Sequence, residues 1–439
     1  MSNPSLSKVT LVLVAVAVCV VVALPAMADS QARIVRLSDV QGSVQIDKNT
    51  GLGFENAFIN LPITQGTQLR TGDTGKAEIE FEDGSSMRLT PHTTVQFSAL
   101  SLSDSGKRVS EMNLVEGMAY VNWIGKDDLT LNFSHEKIVL DRSAHFRVDT
   151  STQVSNLAVF KGDLDVESPE GKFSLEKKKT ATFDADDKYT VDNHVVDAPL
   201  DSWDKESITY HDQYSKDNQS PYGYGVSDLN YYGAYQNVPG YGTMWQPYFT
   251  GAGWDPFMDG AWGYYPGYGY MFASAYPWGW MPYRYGNWMF VPGFGWMWQP
   301  GMWSGWVSIP RYTPTTLVHT TTLVPPAAGT MKPVIVGKGG ATSTYMSSRM
   351  TVNSGSAGMG IPRGSISNLS HLNRDVAKNG SAQVHTAPQF AATPGSHSSS
   401  SASSGYSPSH GSSHSSMPMS TGGHSSSAGH SSSGGSVHH

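Results

Sequence analysis

Three tryptophans, Trp254, Trp280 and Trp306, stand 26 and 26 residues apart, and the text around them repeats. The segments Gly233 to Trp245, Gly260 to Phe272 and Gly286 to Trp298 align without gaps. Each has Pro-Gly-aromatic-Gly in its middle (Pro239 to Gly242, Pro266 to Gly269, Pro292 to Gly295) and ends in Met and an aromatic residue. Proline fixes φ and glycine supplies positive φ, so each unit reads as short strand, tight turn, short strand. One hairpin is marginal alone. Stacking three lets each cover the rings of the others. Ten of the twelve Trp and fifteen of the twenty-one Tyr lie in residues 222–312, where aliphatic residues are scarce, so rings must supply the core there.

A residue needed once per unit is expected to pack neighbouring units, which is the role predicted for Trp254, Trp280 and Trp306. Trp278 and Trp303 do not recur. Trp278, Tyr283, Arg284, Tyr285 and Asn287 combine rings with polar groups, the chemistry of a sugar-stacking surface, and are the candidate binding residues.

Residues 33–192 alternate as strands do, for example Ala77-Glu78-Ile79-Glu80-Phe81 and Leu129-Thr130-Leu131-Asn132-Phe133. Turn signals such as Asp83-Gly84, Glu116-Gly117 and Lys161-Gly162-Asp163 separate them. No amphipathic helix of useful length is read here. The expectation is a mainly β domain, either an antiparallel β-sandwich or a short β-helix-like fold. A linker over 193–221 follows, then the aromatic hairpins of 222–312, then a disordered tail over 313–439.

The order of these elements resembles the FecR domain family over roughly residues 36–184. Val40-Gln41-Gly42-Ser43-Val44 is similar to its opening strand, and Gly66-Thr67-Gln68-Leu69-Arg70-Thr71-Gly72 to its turn motif. Asp83-Gly84-Ser85, Leu114 to Tyr120 and Val159 to Val166 continue the match in the family's order. Leu140 to Val148 and Lys177-Lys178-Lys179 depart from it. The resemblance implies an all-β extracytoplasmic module for protein recognition. In the best-known members it senses an outer-membrane transporter and relays this to a sigma factor through a cytoplasmic segment. Only seven residues precede Lys8, so that relay is not expected here. The run from Pro277 to Trp288, with Gly295 to Gly301, is similar to a family of unknown function that often follows FecR-like domains.

Residues 1–28 read as a signal peptide: Lys8, an apolar run from Val9 to Leu24, then Ala26-Met27-Ala28 before Asp29. Cleavage is expected between Ala28 and Asp29, with an uncleaved anchor as the alternative. Cys19, the sole cysteine, lies in this run, so disulfides and thiolate chemistry are excluded from the mature chain. Residues 29–221 hold 20 Lys and Arg against 32 Asp and Glu, which argues against a nucleic-acid partner. Eight His among Ser and Gly in 385–439 offer no regular metal spacing. His92, His135 and His145 have no Ser nucleophile in an elbow-type turn nearby. No catalytic, metal or cofactor-binding residue is assigned. These features predict a non-enzymatic recognition or scaffold protein, exported to the periplasm or cell surface of a Gram-negative-type bacterium. Its partner would be an envelope protein, and its contact with membrane would be through the transient signal peptide alone. The alternative is a cell-wall or polysaccharide-binding protein that uses the aromatic repeats.

Overall fold

Alternating side chains drive residues 35–192 into eighteen strands. In chain order they are β1 (Val35–Gln41), β2 (Val44–Asp47), β3 (Glu55–Asn56), β4 (Pro62–Ile63), β5 (Gln68–Thr71), β6 (Lys76–Glu80), β7 (Ser86–Leu89), β8 (Thr94–Leu102) and β9 (Arg108–Glu116). They continue as β10 (Met118–Trp123), β11 (Asp128–Phe133), β12 (Glu136–Leu140), β13 (Ala144–Asp149), β14 (Ser155–Lys161), β15 (Asp163–Ser168), β16 (Gly171–Glu176), β17 (Thr180–Phe183) and β18 (Tyr189–Asp192). The structure, a computed structural model, describes residues 33–186, 188–216, 222–301, 309–313, 323–327, 329–337 and 349–385. All of these belong to one unit, Met1–Ala392. The leader with its Ala28–Asp29 junction, Trp303, Trp306 and the chain beyond His385 lie outside the described residues.

The strands form two nine-stranded sheets. The first runs β18-β17-β14-β13-β10-β7-β6-β1-β4 and the second β16-β15-β12-β11-β9-β8-β5-β2-β3. Val35, Leu37, Ile79 and Val121 from the first meet Ile46, Leu69, Phe97 and Leu131 from the second in a single core. Both sheets number upward in the same direction once the short outermost strands β3 and β4 are passed, because the chain deals strands to the two sheets in turn as it advances. The fold is therefore a sandwich wound progressively, as a β-helix is. Ladders are antiparallel except that of β9 with β11, which is parallel.

A sandwich strand ordinarily shows alternate residues to solvent. The second sheet does so: β11 buries Leu129, Leu131 and Phe133 while Thr130 and Asn132 stay half-exposed. The first sheet does not at its β6 and β7 strands, which are buried at every position. Helix α1 (Asp201–Tyr214) and helix α2 (Val226–Tyr232) lie over their outer side. The segment expected as a linker, 193–221, thus holds a structural helix. It escaped the sequence pattern because α1 buries Trp203, Asp204 and Tyr210 rather than an apolar stripe.

The repeat units are hairpins, as their turn chemistry requires: β19 (Gly233–Val238) with β20 (Gly242–Pro247), β21 (Gly260–Tyr265) with β22 (Gly269–Ser274), and β23 (Asn287–Val291) with β24 (Gly295–Gln299). Their arrangement is not a uniform stack. The first and third join into one sheet in which β20 meets β24 at Trp245 and Trp298, the same position of the repeat. The second takes β25 (Val334–Val336) as its neighbour. A short helix, α3 (Met281–Arg284), precedes the third hairpin.

The opening glycine of each unit makes room for its closing aromatic residue. A Cβ on Gly233 would come within 2.3 Å of the Trp245 ring, and one on Gly260 within 2.3 Å of Phe272. Gly260→Ala is accordingly expected to cost about 1–3 kcal/mol by overpacking. Gly253→Ala, where a Cβ meets nothing within 4 Å, is expected to be nearly neutral. Thermal unfolding of the two variants compares them directly, and equal midpoints would contradict the packing argument.

Residues 349–385 correct the expectation of a wholly disordered tail. Strand β26 (Arg349–Asn353) pairs with β27 (Ser381–His385), and helix α4 (Leu369–Asn379) runs between them. The Asn368 side chain caps α4 by accepting from the His371 amide at 2.9 Å, and Gly380 ends it at φ 78°. Leu369, Leu372 and Val376 sit at helical spacing and bury against the aromatic cluster. The cap, the spacing and the terminal glycine were all present in the sequence, embedded in Ser/Gly-rich text that hid them.

Candidate functional site

The outer side of the first sheet carries Arg36 and Ser38 on β1, Glu78 and Glu80 on β6, Arg88 on β7, and His145 and Arg147 on β13. In a free sandwich these would be solvated. Here Arg36 and Arg88 have no exposed surface, and Glu78 and Glu80 are 2% exposed. Burying charges is tolerated only where each is matched, and the covering elements supply the matches.

Arg36 reaches Glu80 and Asp228 of α2, each at 2.7 Å, and donates to the Pro277 carbonyl at 2.7 Å. Arg88 binds Glu78 at 2.8 Å and Asp204 of α1 at 2.9 Å. Arg363 closes the network from the far end of the chain, meeting Glu78 and Asp228 at 2.7 Å each. His211 of α1 lies 3.0 Å from Glu78, and His145 lies 2.7 Å from the second oxygen of Asp204. At the margin Arg147 and the Tyr120 hydroxyl both bond Asp201. Burial alone would raise Glu78, but His211, Arg88 and Arg363 hold it well below the usual carboxylate range. Asp228 is likewise held down by Arg363 and Arg36 against its burial.

His211 moves the other way. Burial would lower it, but Glu78 and then Glu80 raise it above the ordinary histidine value. Ser227 and Arg363 are its other polar neighbours. A raised folded-state pKa means the stabilisation is complete below about pH 6.5, the unfolded value, and is lost as pH rises through the folded value. His211→Gln is expected to flatten this loss of stability on the alkaline side. Urea midpoints collected from about pH 5.5 to 8.5 test it; a decline as steep in the variant as in the wild type would assign the effect elsewhere.

Beside this seam α1, β1, β6 and residues 362–364 bound a cleft of about 260 Å³. Asp39, Glu78, Glu206, His211 and Arg363 supply its charged and titratable walls, and Trp203, Tyr210, Tyr214 and Tyr232 its aromatic ones. Among the described residues no group of three or more His, Cys, Asp or Glu is placed to hold a metal ion.

The residues expected to bind sugar are placed differently from that expectation. Trp278 has no exposed surface, and Tyr283, Arg284 and Tyr285 are at most 4% exposed. Asn287 is half-buried and donates to Thr313 Oγ1 at 2.8 Å. Four of the five are core residues, so they form no open stacking platform. Burial pushes Arg284 down to about 10, and it sits over the Trp280 ring at 5.2 Å. Trp254 and Trp280 are both buried. The residues that sequence reasoning missed are Asp204, His211, Asp228 and Arg363. Their only sequence signal is the row of opposite charges on β1, β6 and β7, which looks like an ordinary solvated face.

Two family models match the chain. Residues 67–165 match FecR protein, and residues 226–324 match a Family of unknown function (DUF6600). This chain carries a FecR module followed by a DUF6600 module. Glu78, Glu80 and Arg88 fall within the FecR match and Asp228 within the DUF6600 match. Arg36, helix α1 and Arg363 lie in neither, so the seam is assembled from both modules and from chain outside them. No curated protein matches the sequence significantly. Two solved structures of a protein described as a "putative anti-sigma factor from Parabacteroides distasonis ATCC 8503" are similar at 17% identity and a TM-score of 0.27. The similarity covers 33% of this chain and 72% or 71% of those chains. Among the described residues no helix is long and apolar enough to cross a membrane.

Proposed function

We propose that this chain is a non-enzymatic recognition or scaffold protein of the bacterial envelope, whose FecR module binds a protein partner through the outer face of its second sheet. One observation carries the reading: over β1, β6 and β7 the first sheet is covered by the chain's own helices and DUF6600 module, whereas the second sheet keeps a half-exposed polar face among the described residues. On that face Asn132 donates to Asn113 at 2.8 Å and Asn113 to Gln96 at 3.3 Å, forming an amide ladder across β8, β9 and β11. Glu111 accepts from Asn132 at 3.1 Å, and Val115 and Val139 are exposed beside it. Fixed amides with flanking apolar groups suit a protein interface better than a catalytic centre. The leader of residues 1–28 supports export to the periplasm or cell surface, with release between Ala28 and Asp29.

A photo-crosslinking residue at Asn113 tests the reading in intact cells. The expected result is a discrete adduct with one envelope protein that a crosslinker at Thr209, on α1, does not give. Adducts of the same pattern from both positions, or no adduct from Asn113 together with retention on purified cell-wall glycan, would favour the carbohydrate reading instead.

A further inference from the structure

The second sheet has unlike ends. At one end β3 is two residues long, too short to template another strand. At the other, β16 is six residues long and exposes Gly171, Lys172, Ser174 and Glu176. Among the described residues no strand pairs with its free side. The two-residue turn Pro169-Glu170 fixes which groups point there. It closes on Ser168 and Gly171, whose backbone groups bond each other in such a hairpin. Bonding then alternates along the ladder, so Phe173 and Leu175 bond back to Val166 and Leu164 of β15. The N–H and C=O groups of Lys172, Ser174 and Glu176 therefore point outward, away from β15.

The side chains of these three residues share the outer face of the sheet. Lys172 pairs with Glu167 of β15, and Glu176 with Lys179 at 2.9 Å. The Lys172 and Glu176 side chains are 78% and 65% exposed, so these contacts are weak and leave both charges within reach of a second molecule. A lysine on an edge ordinarily discourages pairing, but here a carboxylate follows it on the same face. An antiparallel copy of β16 centred on Ser174 sets Lys172 against Glu176, Ser174 against Ser174 and Glu176 against Lys172. The outward backbone groups then form bonded pairs at all three positions. Phe173 meets Leu175 on the core side, where Phe173 already stacks on Tyr189 of β18 at 4.1 Å. Centring on Phe173 would set Glu170 against Glu176, and centring on Leu175 would set Lys172 against Lys178. A one-residue slip would put core side chains on the solvent face. The charge pattern thus favours a single register.

We propose that two copies of this chain pair edge to edge through β16, antiparallel about a twofold axis at Ser174, so that their second sheets become one continuous sheet. A twofold contact must be self-complementary, and β16 has that property in its charges, its backbone groups and its core-side residues. The amide ladder on β8, β9 and β11 stays uncovered, and the pairing does not depend on that ladder binding a partner.

Sedimentation of the full mature chain over about 1–300 µM tests this, and a reversible monomer–dimer equilibrium is expected. Ser174→Pro removes an outward N–H that β15 does not use, a change that edge strands tolerate. It is expected to weaken the dimer about tenfold or more at an unchanged thermal midpoint. Lys172→Glu and Glu176→Lys are each expected to weaken it about tenfold by setting like charges opposite one another, and the double swap to restore it. On oxidation Ser174→Cys is expected to form a disulfide with its own copy, since bonded Cα atoms lie about 5.5 Å apart. Lys172→Cys, about 14 Å from its own copy, is expected not to. The proposal is overturned if the chain stays monomeric throughout, or if the dimer survives Ser174→Pro and both charge reversals. It is equally overturned if the double swap associates no better than either single variant, or if Lys172→Cys crosslinks as readily as Ser174→Cys. Should Ser174→Pro fail to fold, the charge swap decides alone.

Discussion

Trp278→Ala is expected to cost about 3–5 kcal/mol, a large part of the stability of any domain. Trp278 is the hub of the aromatic cluster. Its ring stacks on Tyr276 at 5.0 Å with an interplanar angle of 4°, and on Tyr283 at 6.0 Å. Trp245, Trp254 and Trp288 contact it at 5.0, 6.2 and 5.9 Å. Its indole N–H donates to the Ala357 carbonyl at 2.7 Å, tying the DUF6600 module to the 349–385 segment. Removing the side chain leaves a cavity that five large rings are too constrained to close, and strips a buried carbonyl of its donor. Trp278→Phe should be milder but still destabilising, because the Ala357 carbonyl loses its donor in that variant as well. Chemical denaturation followed by near-ultraviolet circular dichroism measures both. A midpoint for Trp278→Ala equal to wild type would return this residue to the surface and revive the sugar-stacking role.

The second large effect is expected in the seam. Arg36→Met removes one cation and leaves two essentially unexposed carboxylates short of a partner, Glu80 with His211 at 3.5 Å and Asp228 with Arg363 at 2.7 Å. Breaking a buried pair by deleting one partner typically costs about 3–5 kcal/mol, and the remaining contacts of Glu80 and Asp228 place this variant at the lower end of that range. Replacing the whole pair is different, because two apolar side chains leave fewer charges unmatched. The double variant Arg36→Met with Glu80→Leu should therefore lose less than the sum of the two single variants. A double-mutant cycle on urea unfolding separates this from simple packing loss. Strict additivity would mean that Arg36 and Glu80 do not act as a unit.

Much of the architecture was legible because it follows from local rules. Alternation marked β6 and β11, and the Pro-Gly-aromatic-Gly turns marked all three hairpins. The period of the repeat also gave the buried role of Trp254 and Trp280. The candidate site was not legible, because it depends on which face of a sheet is covered. Arg36, Glu78, Glu80 and Arg88 have the same sequence pattern whether they meet water or a second layer. Only the long-range partners decide, and Arg363 lies 285 residues beyond Glu78. The burial of Trp278, Tyr283, Arg284 and Tyr285 was obscured for the same reason. A ring beside polar groups looks like a platform until Ala357, Val352 and Leu369 close over the cluster.

These long-range closures make one folded unit from chain that reads as three, and that unity is the central claim. It is tested most directly by differential scanning calorimetry of the mature chain against the same chain ended at residue 320. The truncation removes Arg363 from the seam and Val352, Ile361, Leu369, Leu372 and Val376 from the aromatic cluster. The account predicts one cooperative transition in the full chain and a fall of roughly 5 °C or more in the truncated one, with the FecR module affected as well. Two separate transitions, with the FecR transition unmoved by the truncation, would contradict it.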